Sequence, residues 1–149
     1  LAEAGYKEGE NLKFVYQSAQ GNPGTAAQIA RQFVGDAPNV IVPISTPSAQ
    51  AVVAATRDIP VVFTAVSDPV GAQLIKSMEK PGRNVTGLSD ALPVNEHLAL
   101  VKEIVPSAKT IGYIYNSAEA NSVSTLALLK EAAAKRYASV SRPYDAAGG

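Results

Sequence analysis

Residues 39–48 read NVIVPISTPS, and residues 59–72 read IPVVFTAVSDPVGA. Each stretch is a short apolar run that passes directly into Ser-Thr-Pro or Ser-Asp-Pro. An unbroken apolar run of this length suits a buried parallel strand. A hydroxyl or carboxylate followed by proline is a helix start: the side chain caps free N–H groups, and proline fills the first turn, where no N–H is required. The two stretches therefore predict strand-then-helix twice in succession. Pro43 weighs against the first strand, because a central strand needs its N–H.

The same reading extends outward. Residues 1–5 (LAEAG) read as the last turn of a helix stopped by Gly5. Residues 11–18 (NLKFVYQS) alternate Leu12, Phe14 and Tyr16 with polar neighbours and predict a strand. Asn22-Pro23 starts a helix carrying Ala26, Ile29, Ala30, Phe33 and Val34, which ends at Gly35. The helix after Thr46 turns Ala49, Val52, Val53 and Thr56 inward. The one after Asp68 turns Val70, Leu74, Ile75 and Met78 inward and stops at Pro81-Gly82. A short strand follows at 84–89, then a helix at 94–105 with Val94, Leu98, Val101, Ile104 and Val105 on one side. Residues 109–116 predict a strand, and 119–137 a long helix carrying Val123, Leu126, Leu129 and Ala133. Strands alternating with helices mean βαβ units and parallel sheet, an α/β fold whose ligands lie beyond the carboxyl ends of the strands. A polar stretch at 90–93 is the expected boundary between two domains, residues 1–90 and 91–149. Residues 139–149 show no period.

Composition narrows the function. The 149 residues are 46% hydrophobic and 17% charged, with 13 basic and 13 acidic side chains. That is enough apolar material for a packed core. A zero formal charge provides no basic field for nucleic acid. No apolar run approaches the roughly 20 residues of a membrane span. Without cysteine there is no disulfide or thiolate chemistry, and one histidine, His97, cannot build a histidine-rich metal site. No dinucleotide or phosphate-loop glycine pattern and no nucleophile elbow occurs. The expectation is a binding protein with no cofactor and no catalytic residues.

Three strand-to-helix loops concentrate polar side chains. In the first, a helix N-terminus beside Thr46 and Ser48 favours an anion such as a carboxylate; Thr46 by itself is read as a cap. In the second, Thr64 and Ser67 can face a ligand while Asp68 caps its helix. In the third, Asn116, Glu119, Asn121 and Ser122 crowd one turn, more polar groups than a cap requires, and suit an ammonium or hydroxyls. Either Ser117 or Asn121 would cap that helix in the plainer reading. Asp90, after the strand at 84–89, can reach the same rim or stand in solvent. Tyr115 sits close to the third cluster.

These motifs occur in a recognisable order: QGNPGTAAQIAR at 20–31, VIVPISTPSAQA at 40–51, IPVVFTAVSDPVGA at 59–72, NVTGLSD at 84–90 and IGYIYNSAEANS at 111–122. The chain resembles the ABC-transporter substrate-binding proteins of the tryptophan/tyrosine type, over residues 4 to about 137. The resemblance implies a periplasmic-binding-protein-like (type I) fold of two lobes joined by a hinge. Each lobe would be a parallel sheet with helices on both faces, with an amino acid, aromatic ones included, held between the lobes. Closure would present the ligand to a membrane permease, so the implied setting is periplasmic or cell-surface. By similarity the turn at Thr46 to Ser48 takes the ligand carboxylate, Ser67, Asp68 and Asp90 line the cleft, and Asn116, Glu119 and Asn121 face it from the second lobe. Family members of about twice this length imply that a first strand, most of a first helix and the rest of the second lobe are expected outside these 149 residues. Two other readings compete. The same two-lobed fold serves sensory and regulatory binding domains, and a flavodoxin-like sheet can carry an enzyme, although no phosphate loop or nucleophile–base pair supports the latter.

Overall fold

The computed structural model describes residues 1–135, 137, 139, 140, 144 and 145, the last four by their backbone alone. The chain begins with a 3-10 turn, Ala2–Ala4, closed by Gly5 at φ 83°, as the LAEAG reading expected. Helix α1 spans Pro23–Gly35, with the Asn22 side chain accepting from the Thr25 N–H and proline in its first turn. Helix α2 spans Thr46–Ala55. Strand β1, Val61–Val66, pairs in parallel with β2, Val85–Ser89. Helix α3 covers Val94–Ile104 and α4 covers Ala120–Ala134. Four two-residue strands complete the order: β3 (Thr110–Ile111), β4 (Ile114–Tyr115), β5 (Ser139–Val140) and β6 (Tyr144–Asp145), with β3 parallel to β5 and β4 parallel to β6.

Two hydrophobic clusters result. The first joins Ala30 of α1, Ala49 and Val52 of α2, Ile41, and Val61, Phe63 and Val66 of β1. The second joins Val94 and Leu98 of α3 to Leu129, Ala132 and Ala133 of α4, with Tyr137. Tyr137 is buried and donates its hydroxyl to the Leu98 carbonyl at 2.9 Å, while the Lys102 ammonium lies 4.9 Å from its ring centroid. This buried phenol pins α3 to the residues beyond α4 by a hydrogen bond and a cation–π contact together.

Several expected elements take a different form. Residues 11–18 form no strand: Leu12 makes one bridge to Glu8, and Phe14, Val15 and Tyr16 are exposed. Alternation alone cannot hold a strand that has no neighbour to bond. Residues 39–45 make only isolated parallel bridges, Ile41 with Val61 and Ile44 with Thr64, to either side of Pro43. Proline there has no N–H to complete the ladder. Residues 69–76 form a series of turns where a helix was expected. Gln73 has φ 60°, which no α-helix accommodates, although Leu74 and Ile75 are buried as expected and Val70 and Met78 are not. The strand at 109–116 is divided into β3 and β4. Val101, Ile104, Val105 and Val123 were expected inward and are exposed. The strands expected to be buried on both faces alternate: Ile41, Val61 and Phe63 are buried under α1 and α2, while Val42, Ile44 and Val62 project to the other side and are exposed among the described residues.

The pairing of β1 with β2 depends on a bare backbone. Phe63 lies opposite Gly87, and a Cβ at Gly87 would fall on the Phe63 carbonyl oxygen and ring. Gly87→Ala therefore forces the strands apart and is expected to destabilise the chain by about 2–4 kcal/mol. Tyr137→Phe, which removes the hydrogen bond to the Leu98 carbonyl, is expected to cost about 0.5–1.5 kcal/mol. Denaturant melts of both variants check these values.

Candidate ligand-binding site

The carboxyl ends of three parallel segments meet at one rim. The Ser45 N–H donates to the Thr64 carbonyl at 3.0 Å, and the Asp90 N–H donates to the Val66 carbonyl at 3.1 Å. The Ser89 hydroxyl donates to the Ser67 carbonyl at 3.3 Å. Ser45, Thr64, Ser67 and Asp90 are thus neighbours because the strands before them pair. Thr64 and Ser67 are half-buried, and Asp90 is exposed.

Backbone strain accumulates at this rim. Ser45 has φ 76° and ψ 158°, a region that non-glycine residues almost never occupy. Ala65, inside the irregular end of β1, has φ 52°. Such conformations cost of order 1–3 kcal/mol each and collect where a binding site dictates the backbone. Their effect here is to aim the start of α2. The capping role expected of Thr46 is not observed: Ser45 holds the N-cap position, no side chain caps the helix, and Thr46 is its first residue, only 2% exposed. The Thr46 side chain is buried beside the strained Ser45 backbone. The Thr46 and Ser48 N–H groups have no acceptor among the described residues, and the Ser48 hydroxyl lies 3.5 Å from that of Ser45. Unsatisfied N–H groups at a helix start present partial positive charge.

Asp68 follows on the same rim. One carboxylate oxygen accepts from the Gly71 N–H at 2.8 Å, closing the turn as a cap would. The other accepts from the Ser124 hydroxyl of α4 at 2.8 Å. A Cβ at Gly71 would fall on the Asp68 carboxylate, so glycine is required beneath it. Gln50 of α2 donates to the Ala72 carbonyl at 3.3 Å and ties this turn to the helix beside it.

The third loop arrives from the other cluster. Asn116 accepts from the Ala118 N–H at 3.0 Å and donates to Glu119 at 3.1 Å, folding the loop on itself. Glu119 occupies the N-cap position of α4, with no side-chain cap; neither Ser117 nor Asn121 stands there. Asn121, in the first turn, has its Oδ1 atom buried with no hydrogen-bond partner among the described residues. Ala120 packs against the first hydrophobic cluster. The Tyr113 and Tyr115 rings stack at 6.4 Å behind the loop.

All three polar loops therefore share one region, and Ser124 and Gly71 are the members that sequence reasoning missed. The only signal for Ser124 was a polar run, Ser122, Ser124 and Thr125, on an otherwise apolar helix. A pocket of about 410 Å³ lies elsewhere, lined by Thr56, Arg57, Lys76, Arg83 and Val85 at the opposite, amino-terminal end of β2. Among the described residues no group of three or more His, Cys, Asp or Glu could hold a metal, and no helix is long and apolar enough to cross a membrane.

The model of one family, ABC transporter substrate binding protein, matches residues 1–144. The chain belongs to this family. It is 53% identical over 122 residues to a tyrosine-binding protein from Clostridioides difficile, covering 82% of this chain and 35% of that one. A conserved domain protein from Vibrio cholerae superposes with a TM-score of 0.95 at 57% identity, over 98% of this chain and 49% of that one. An ABC domain in complex with L-Trp from Streptococcus pneumonia gives 0.93 at 37% identity, with the same coverages. The ligand-free, open structure of a substrate-binding protein with adhesive properties from Clostridium difficile gives 0.72 at 46% identity, over 97% and 49%. The fold is thus that of the two-lobed periplasmic-binding-protein-like proteins, and the chain spans about half the length of the solved structures it matches.

The Asp68 turn provides a test of the site's construction. Gly71→Ala is expected to displace the carboxylate, break both of its hydrogen bonds and lower stability by about 1–3 kcal/mol. Thermal denaturation beside the wild type measures it.

Proposed function

We propose that the chain forms the amino-acid-binding surface of an extracytoplasmic receptor for an ABC importer, with residues 1–90 in one lobe and residues 91–149 in the other. The observation that carries this reading is the convergence of two uncapped helix starts, α2 and α4, on the ends of the parallel strands. The first offers free N–H groups at Thr46 and Ser48 together with the Ser48 hydroxyl, a donor set for a carboxylate. The second adds the Glu119 carboxylate and the Asn121 Oδ1, which is buried with no donor among the described residues. An α-amino acid brings an anion and a cation a few ångströms apart and complements both. Thr64, Ser67, Asp68, Asp90 and Asn116 line the space around them. Relatives named for tyrosine and solved with L-Trp favour an aromatic side chain.

Binding of this kind uses recognition and closure without turnover. The receptor would deliver its ligand to a membrane permease and would work outside the cytoplasm, as its family does.

Thermal shift and calorimetric titration with the twenty amino acids test the proposal. At one hundred times its dissociation constant, L-Tyr or L-Trp is expected to stabilise the protein by about 2.7 kcal/mol. Stabilisation by none of the twenty would remove the amino-acid assignment. With the ligand known, Ser48→Ala and Asn116→Ala are each expected to weaken binding by about 1–3 kcal/mol. Unchanged affinity would take those two side chains out of the site.

A further inference from the structure

We propose that the cavity at the amino-terminal end of β2 is a second binding site, built for a phosphate ester with an apolar body. Its volume is about 410 Å³, within the range of small-molecule sites. It lies away from the rim and does not depend on the amino-acid reading. Arg57, Lys76 and Arg83 line it, and no carboxylate does. None of these three cations has an ion-pair partner among the described residues. The chain as a whole carries 13 basic and 13 acidic side chains, so this concentration of one sign is local. Unpartnered like charges around a concave wall favour an anion between them.

The backbone delivers these side chains from separate turns. The buried Thr56 hydroxyl accepts from the Asp58 and Ile59 N–H groups at 3.3 and 3.2 Å, which fixes the turn that carries Arg57. Gly82 has φ 88°, a conformation that glycine adopts without strain. A Cβ there would stand 3.9 Å from the Lys76 Cδ atom, so this turn folds Arg83 back towards Lys76. Val53, Leu74 and Val85 make the wall between the cations apolar. Asn84 also lines the cavity. Its Nδ2 donates to the Ile59 carbonyl at 2.7 Å, and its Oδ1 is buried with no donor among the described residues. An inorganic ion alone would leave the apolar wall unused. A phosphate ester matches each feature: its charged oxygens take the cations, a P–OH or hydroxyl group donates to Asn84, and its organic body covers the apolar wall.

The experiment is a calorimetric titration with phenyl phosphate, inorganic phosphate and phenol, with amide resonances followed in parallel. Phenyl phosphate is expected to bind saturably, to shift the signals of Leu74, Asn84 and Val85, and to bind about fivefold more tightly than either fragment. Arg57, Lys76 and Arg83 are exposed, so their replacement leaves the core intact. Arg57→Gln, Lys76→Gln and Arg83→Gln are each expected to weaken phenyl phosphate about two- to fivefold, and the three together about tenfold or more. Absence of saturable binding overturns the site. So do equal affinity for inorganic phosphate, an unchanged triple variant, or displacement of phenyl phosphate by L-Trp. Phosphatidylcholine vesicles with and without phosphatidic acid distinguish the source of the phosphate. Sedimentation of the wild type, and not of the triple variant, with the phosphatidic acid vesicles assigns it to a lipid. Phenyl phosphate binding without sedimentation assigns it to a soluble ester.

Discussion

Parallel pairing of β1 with β2, and of residues 41 and 44 with β1, is the constraint on which the rest of the structure depends. Parallel strands bring their carboxyl ends to the same side, so three loops distant in sequence become neighbours without contacting one another first. The register is strict where Phe63 faces Gly87, since only a residue without a side chain allows the backbones their observed approach. Once that pairing exists, Ser45, Thr64, Ser67 and Asp90 share a rim, and α2 begins there. The second cluster, through α4, needs only to bring its own helix start to the same place.

What the rim holds is then an electrostatic arrangement. Both helix starts leave N–H groups uncapped, and the second also carries the Glu119 carboxylate and the Asn121 Oδ1, which has no donor among the described residues. Each is unfavourable alone, because an unpaired buried polar group costs free energy that folding does not recover. The strained conformations at Ser45 and Ala65 have the same character. Stability is given up locally, and the packed core beneath, with Val61, Phe63 and Val66 fully buried, carries the deficit.

The helix starts were readable from the sequence because their signals are local. Asn22-Pro23 gives an N-cap bond to Thr25, and Gly5 gives a left-handed stop, each within a few residues. The three polar loops were readable for the same reason, since each is contiguous. What could not be read depends on partners. Residues 11–18 alternate as a strand does, but a strand also needs a neighbour, and the described residues supply only Glu8. The turns at 69–76 have a helical apolar pattern that the backbone at Gln73 overrides. Ser124 carries no local mark of its bond to Asp68, because the two residues are 56 positions apart in sequence. Gly71 was invisible for a similar reason: its role is to leave room for a carboxylate three residues earlier.

Helix α4 belongs to both bodies at once. Leu129, Ala132 and Ala133 anchor its far end in the second cluster, while Ala120 and Ser124 touch the first. At 1.5 Å per residue its 15 residues make a stiff rod about 22 Å long. Such a rod is a lever. A pivot of roughly 10° about its anchored end sweeps the free tip by about 4 Å on that length. A hydrogen bond near the tip does not survive that travel. A rotation that leaves the anchored end in place therefore makes or breaks this contact together with the packing of Ala120, so the mechanical response at the tip is a step and not a gradual slope.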